Sequence, residues 1–263
     1  MKPPSRKLVA VAVLLYAFLY APILVVVLYS FNAAPHGVHW QGWTTQWYRV
    51  LLANPLALSA AGQTLLLAGI STAIATVLGT MLGYGLSRYD VPGRSFITRL
   101  LYLPFFIPDI VMAVSLLLFY ALMRQWLGLF DLGLKTMVFA HVTFQIPYVA
   151  IVVRTRMAGL DPALEEAAHD LGANAWQTFW NVTYPLIRPG VLAGAMLAFT
   201  LSLDDFVVSF FTSGPGSMTL PILIYTSIKR GLTPDINALS TLIVLSSVLA
   251  TLTVAALQRR LGR

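Results

Sequence analysis

Three carboxylates lie inside long apolar stretches of this chain, where a buried charge is costly. Asp109 follows the segment LPFFIP, and Asp204 and Asp205 are adjacent within FTLSLDDFVV. A carboxylate at the centre of a membrane-spanning helix costs roughly 2.5 to 3.5 kcal/mol, so such residues usually face a cavity and serve a cation or a proton. Neither apolar stretch contains a Lys or Arg that would neutralise them. These residues therefore predict a cation pathway.

The same carboxylates also have structural explanations. Asp109 comes directly after Pro108, and a carboxylate that follows a proline kink can cap the restarted helix. Adjacent residues of a helix point about 100° apart, so Asp204 and Asp205 cannot face one partner without a local break. A purely structural role for one of the two stays open.

Aromatic and polar residues accompany these acids along the same stretches. Phe105 and Phe206 lie beside them, and aromatic faces attract ammonium groups, although most phenylalanines in such helices serve packing. We include both in the predicted pathway. His141 and Gln145 are expected to form hydrogen bonds to neighbouring helices rather than a metal site, because one histidine without convergent partners is a poor ligand set.

A polar segment with strong capping signals, DPALEEAAHDLGANAWQTFWNVTYP, separates two of the apolar stretches. Asp161 is placed to cap a helix that begins at Pro162, and Gly172 supplies the positive φ that ends it. A second short helix begins after Asn174, which has a glutamine three residues later as a variant capping box, and Pro185 is expected to end it.

The composition indicates which type of secondary structure positions these residues. Apolar residues make up 58% of the 263 residues and charged residues 10%, with a mean hydropathy of +0.77. This balance indicates an all-α integral membrane protein, and a helix needs about 20 residues to cross the hydrocarbon. We predict one transmembrane domain, 1–263, with six spans near 8–29, 64–86, 100–123, 136–153, 191–211 and 238–257.

The basic charge follows topology rather than a nucleic-acid partner. The formal charge is +7, and twelve of the basic residues fall on one side of the predicted spans against five on the other. The positive-inside rule then places both termini and the loop 161–185 in the cytoplasm. The first span is expected to be an uncleaved anchor, because its apolar run is longer than that of a signal peptide. The chain has no cysteine, which excludes disulfides and thiolate catalysis.

Two external loops each leave two interpretations open. The segment 30–61 is rich in tryptophan near a predicted short helix, which suits either a belt at the lipid headgroups or a docking surface for an external partner. The segment 212–237 contains an apolar stretch too short to cross. It either dips into the membrane, with Gly214, Pro215 and Gly216 at the rim of the pathway, or forms an ordinary turn.

One motif in the polar segment resembles the EAA loop of the permeases of ABC importers. The matching residues are Glu166, Ala167, Ala168, Gly172, Val182 and Pro185. Val182 stands where the motif has Ile, and Tyr184 where it has Leu. The resemblance implies that Glu166, Ala167, Ala168, Gly172 and Pro185 couple the chain to an ATPase.

Longer segments are similar to the permeases of spermidine/putrescine importers, of the PotC and PotI type. These segments are 30–48, 199–216 and 234–242, together with the surroundings of Asp109. The resemblance implies a subunit of the bacterial inner membrane that pairs with a second permease, two ATP-binding subunits and an external polyamine-binding protein. The chain lacks the phosphate loop G-x(4)-G-K-[ST], so ATP and Mg would be used by the partner ATPases. We expect this chain to bind no cofactor directly and to be surrounded by membrane lipid.

Three other functions stay open at this point. A permease of the same class for an anion or an iron chelate would share the loop but would not explain the carboxylates. An intramembrane aspartyl protease would need Asp109 and Asp204 to share one proton. A scaffold subunit without a pathway would tolerate neutralisation of all three acids.

Overall fold

The computed structural model of this protein describes residues 5–35, 39–231 and 233–261. The regular elements of the described residues are helices, together with one isolated antiparallel bridge between Asn32 and Trp43. The helices are α1 (Arg6–Tyr29), α2 (Gln46–Leu52), α3 (Pro55–Arg88), α4 (Arg94–Phe106), α5 (Asp109–Leu127), α6 (Leu134–Ala158), α7 (Ala163–Asp170), α8 (Ala175–Thr178), α9 (Tyr184–Leu203), α10 (Val207–Thr212), α11 (Leu220–Arg230) and α12 (Pro234–Leu261), with a π-helical turn at Phe179–Thr183. The predicted all-α class is confirmed.

Five helical segments of the described residues are long and apolar enough to cross a membrane. They are α1, α3, α5, α6 and the continuous helix Ala175–Leu203. The sixth predicted span, 238–257, falls in the 28-residue helix α12. The side chains of residue 247 and of 250–261 lie outside the described part, so the count of six is approximate.

Two of the predicted spans are interrupted rather than continuous. The third, 100–123, is split between α4 and α5 at Ile107 and Pro108. Ile107 is extended (φ −78°, ψ 126°), as expected for a residue before proline, whose ring disfavours the helical conformation there. The fifth, 191–211, is broken at residues 204–206 between α9 and α10.

The polar segment is partly different from its prediction. Asp161 accepts the N–H of Ala163 at 3.0 Å, so α7 begins one residue later than expected. Gly172 has the expected positive φ of 87°, and the reciprocal capping pair of Asn174 and Gln177 forms. The expectation that Pro185 ends the second helix is wrong.

The helix passes Pro185 because the preceding turn widens. The N–H of Tyr184 reaches the carbonyl of Phe179, a five-residue step. Proline lacks an N–H and its ring clashes with the carbonyl four residues earlier in a regular helix, and a π-helical turn relieves this conflict. The second helix of the polar segment therefore runs without interruption into α9.

The chain divides into two compact units, Ser59–Ile222 and Met1–Leu58 with Leu223–Arg263. In the first, α6 is central, with 56% of its apolar stretch buried. Its core joins α6 to α9 through buried apolar residues, namely Val149, Val153, Met157, Ile187, Val191 and Ala198. In the second, α12 contacts α1 and α2.

The side chain and backbone of Asn32 hold the loop between α1 and α2 together. Asn32 is 2% exposed, its amide donates to the carbonyl of His39, and its side-chain oxygen accepts the N–H of Gln41 at 2.9 Å. The indole of Trp47 donates to the Asn32 carbonyl at 2.8 Å. The short helix α2 forms as expected, while the choice between a lipid belt and a docking surface stays a prediction.

Glycines let α3 and α6 pack backbone to backbone. A Cβ at Gly79 would lie 2.6 Å from Cβ of Val149, and one at Gly83 would lie 2.6 Å from the carbonyl oxygen of Ala150. The two glycines are four residues apart and share one helix face, the pattern that allows close approach of membrane helices.

Replacing Gly83 with Ala is expected to destabilise the protein by roughly 1 to 3 kcal/mol, because overpacking forces helices apart. Gly85 on the same helix is the matched control, since a Cβ added there would meet nothing within 4 Å. Gly85→Ala should leave stability unchanged or slightly higher. Thermal unfolding of the purified protein in detergent measures both. Equal unfolding midpoints for the two variants would contradict the close contact.

Candidate functional site

The two helix interruptions enclose a cavity of about 350 Å³ in the unit Ser59–Ile222. Asp109, Asp204 and Asp205 all line it, as does Phe206. Its remaining walls are mostly apolar or aromatic and include Pro104, Met112, Phe144, Tyr148 and Leu201. The three acids predicted from separate stretches of sequence therefore share one cavity.

Asp109 reaches this cavity as the first residue of α5. Pro108 precedes it, and no side-chain hydrogen bond caps the helix at this end. As an acid in the first turn of α5, Asp109 also suits the helix dipole, so the structural alternative stays a prediction beside the cavity role. The side chain is exposed on the cavity wall, where a carboxylate is free to meet a solute.

Asp205 has a different task, because its carboxylate is tied to α10. One oxygen accepts the N–H of Val208 at 3.3 Å and the other accepts the N–H of Ser209 at 2.7 Å. The first N–H groups of a helix have no intrahelical acceptor, and a carboxylate satisfies them well. The side chain is only 11% exposed, so Asp205 mainly stabilises the start of α10 after the interruption.

A buried histidine braces the same break from α6. His141 is fully buried, and its Nδ1 lies 2.7 Å from Oγ of Ser202 at the end of α9. Its Nε2 lies 3.0 Å from Oγ of Ser209 and 3.3 Å from Oδ2 of Asp205. One imidazole thus connects both sides of the interruption, which confirms the expected hydrogen bonds between helices.

Gln145 extends this bracing one turn along α6. Its side-chain amide donates to the carbonyl of Ala198 on α9 at 3.0 Å. Together, the contacts of His141 and Gln145 fix the end of α9 against α6. Asp204 is then left exposed on the cavity wall by the break that Asp205 caps.

The aromatic part of the prediction is only partly reproduced. Phe206 lines the cavity, whereas Phe105 lies behind Tyr148, with 4.3 Å between their ring centroids. Tyr148 is the lining aromatic that the sequence reasoning missed. It lies three residues after Gln145 and so shares its helix face, which is the signal that could have found it. Gly214, Pro215 and Gly216 are not among the lining residues.

The charge of the cavity is one-sided. Three carboxylates line it, and none of the described lining residues is a lysine or an arginine. Carboxylates separated by apolar and aromatic walls suit a solute that carries positive charges on an otherwise apolar body. The same set of residues would repel an anion.

The loop 161–185 presents a second exposed surface. Glu166 and Ala167 of α7 are exposed. Leu171 is 88% exposed and Trp176 is 71% exposed. Large apolar side chains left in the open on a polar loop mark an interaction site.

A multi-pass helical protein with an acidic cavity between interrupted helices, and with a helical loop exposed between two spans, has the features of a transport permease. Residues 75–263 match the family model described as "Binding-protein-dependent transport system inner membrane component". The chain belongs to this family.

Curated relatives agree with this assignment. The chain is 41% identical to the spermidine/putrescine transport system permease protein PotC of Escherichia coli K12, over 89% of this chain and 87% of the relative. It is also 41% identical to the putrescine transport system permease protein PotI of the same strain, over 90% and 85%. The sulfate transport system permease protein CysT of the same strain is 30% identical over 84% and 83%.

Solved structures show the same fold. A bacterial alginate ABC transporter, in complex with an alginate-bound periplasmic protein, matches with a TM-score of 0.74 at 18% identity, over 98% of this chain and 94% of that chain. The MetNI methionine ABC transporter matches with a TM-score of 0.60 at 20% identity, over 82% and 96%. At these identities the likeness concerns the fold alone.

Proposed function

We propose that this chain is a permease subunit of an ATP-driven importer that carries polyamines, spermidine or putrescine, across the bacterial inner membrane. The observation that carries the proposal is the cavity of Asp109, Asp204 and Asp205 with aromatic walls. Polyamines are chains of methylenes with ammonium groups, so their charges match the acids and their methylenes match the walls. The polyamine permeases named among the relatives support this cargo.

An anionic cargo fits the cavity poorly. The sulfate permease is a more distant relative, at 30% identity. A sulfate ion in this cavity would meet carboxylates and none of the cations that pair with anions. The cavity therefore supports the polyamine over the anion.

The proposed assembly contains this permease, a second permease subunit, two ATP-binding subunits and an external polyamine-binding protein. ATP and Mg are used by the ATP-binding subunits, which dock on the loop 161–185 through the exposed face of Glu166 and Ala167. Both termini and this loop are cytoplasmic, in keeping with the positive-inside rule. Movement of α7 then reaches the cavity through α9, which ends beside Asp204.

Uptake by the purified complex in proteoliposomes tests this function. We expect ATP-dependent, saturable uptake of radiolabelled spermidine or putrescine, and no competition from excess sulfate, because the cavity attracts cations only. Liposomes loaded with a non-hydrolysable ATP analogue are the control. ATP-dependent uptake of sulfate without uptake of either polyamine would overturn the proposal.

A further inference from the structure

Glu165, the residue before the EAA sequence, connects three separate segments of the unit Ser59–Ile222. Its Oε2 lies 2.8 Å from Nε of Arg88 at the end of α3, and both side chains are 16% exposed. Its Oε1 accepts a hydrogen bond of 2.7 Å from the hydroxyl of Thr183. Thr183 is fully buried and ends the π-helical turn that leads into α9.

These contacts matter because α7 has little else to hold it. None of its residues is fully buried, so apolar packing against α8 and the π-helical turn holds α7 only weakly. The contact with Thr183 is a hydrogen bond to a charged group, which is about twice as strong as a neutral one. The contact with Arg88 is an ion pair whose Nε lacks hydrogen-bond alignment, and partial burial protects it from screening. Glu165 is thus placed to fix α7 to α3 and to the start of α9.

The end of α3 meets the π-helical turn a second time. Tyr84 lies one turn before Arg88 on the same face of α3, and its ring is 5.1 Å from the ring of Phe179 in an edge contact. The Arg88, Glu165 and Thr183 side chains, which we call the clamp, therefore close a junction that already has an apolar contact.

We propose that Glu165 is a positioning residue that makes α7, α3 and α9 move as one body, so that ATP hydrolysis is converted into opening of the cavity. The proposal rests on the coupling role proposed above for the loop 161–185. From the clamp, α9 extends 20 residues, or about 30 Å at 1.5 Å per residue, and ends at the break beside Asp204. The clamp differs from the docking face, because Glu165 points into the permease and Glu166 is exposed.

The first test measures ATP hydrolysed per spermidine imported by the complex in proteoliposomes. Glu165→Ala should raise this ratio by about fivefold, within the range in which single contacts modulate coupling. The double variant Arg88→Glu with Glu165→Arg restores an ion pair and should return the ratio to within about twofold of the original. A merely stabilising contact would lower hydrolysis and import together and leave the ratio unchanged.

A matched control is available close by. Asp90 pairs with Arg94 at 2.9 Å, but its side chain is 97% exposed and the pair lies four residues apart. Asp90→Asn removes an ion pair of the same chemistry that connects nothing across the fold, and it should leave the ratio unchanged. A ratio unchanged in Glu165→Ala, or raised equally in Asp90→Asn, would overturn the proposal.

The second test is independent of the cargo. Because the chain has no cysteine, nitroxide labels can be placed through Val91→Cys, beyond α3, and Asp170→Cys, at the end of α7. We expect the same distance distribution between the labels with and without a non-hydrolysable ATP analogue, and a nucleotide-dependent shift after Glu165→Ala. A shift in the unaltered complex would overturn the clamp. Absence of polyamine uptake would instead overturn the proposed cargo.

Discussion

Asp204→Asn is expected to lower kcat/KM for spermidine uptake by at least about tenfold, because a hydrogen bond to a charged group contributes roughly 1.5 to 3 kcal/mol and each 1.4 kcal/mol is a factor of ten. Asp204 is exposed on the cavity wall. Asp109 is also exposed on the cavity wall, so the double variant Asp109→Asn with Asp204→Asn should abolish uptake. Initial rates of radiolabelled spermidine uptake in proteoliposomes measure both effects.

Asp205→Asn is the matched control for this prediction. Two separate carboxylate oxygens accept the N–H groups of Val208 and Ser209, so asparagine, with one side-chain oxygen, keeps one of these contacts and remains a good helix cap. Because Asp205 contacts the helix rather than the solute, we expect Asp205→Asn to lower uptake less than Asp204→Asn does. Equal losses of uptake in Asp204→Asn and Asp205→Asn would contradict the assignment of Asp204 to the solute and Asp205 to the start of α10.

Glu166→Lys is expected to abolish uptake while the protein still inserts and folds. Glu166 is exposed on α7, so its replacement leaves the packing of the permease intact and changes the charge of the proposed ATPase docking face. Gly172→Asp should have the same result, because a side chain at φ 87° strains the end of the helix that carries this face. Uptake, together with the amount of each variant in purified membranes, is the measurement.

Asp90→Lys serves as the control for Glu166→Lys. It makes the same change of charge at a position that is 97% exposed and lies outside the loop 161–185. Uptake should then stay close to that of the unaltered protein. Full uptake by Glu166→Lys, or an equal loss in Asp90→Lys, would exclude a specific coupling role for Glu166.

The sequence predicts the cavity because carboxylates in apolar spans are energetically costly. A carboxylate in an apolar span is expensive, so Asp109 indicated a cavity for a cation, while Pro108 before it indicated only a kink and not the full interruption of the span 100–123. For Asp204 and Asp205, the 100° between neighbours indicated that both could serve the site only across a local break. The structure contains that break.

The division of labour between the acids could not be predicted, because it depends on contacts between distant segments. His141 and Asp205 are 64 positions apart in sequence, and their 3.3 Å approach follows from the packing of α6 against α10. The pairing of Glu165 with Arg88 is of the same kind. Local patterns reveal which residues are costly, but a partner across the fold is visible only once the helices are packed.

The error at Pro185 has a local cause. The rule that proline ends a helix assumes the regular four-residue hydrogen-bond step throughout. A single widened turn at Phe179–Thr183 removes that conflict and lets α8 and α9 form one helix. Sequence signals for such turns are weak, because the contacts that accompany this turn come from Glu165 and Tyr84, which are distant in sequence.

The ending of α9 inside the protein has a consequence for discrimination among cations of equal charge. The last carbonyls of a helix have no intrahelical donor, and Leu201 in the final turn of α9 lines the cavity. A primary ammonium offers three N–H groups, which can be shared between a carboxylate and such carbonyls. A permethylated amine carries the same charge without any of these donors, so we expect the permease to carry protonated amines in preference to quaternary ones.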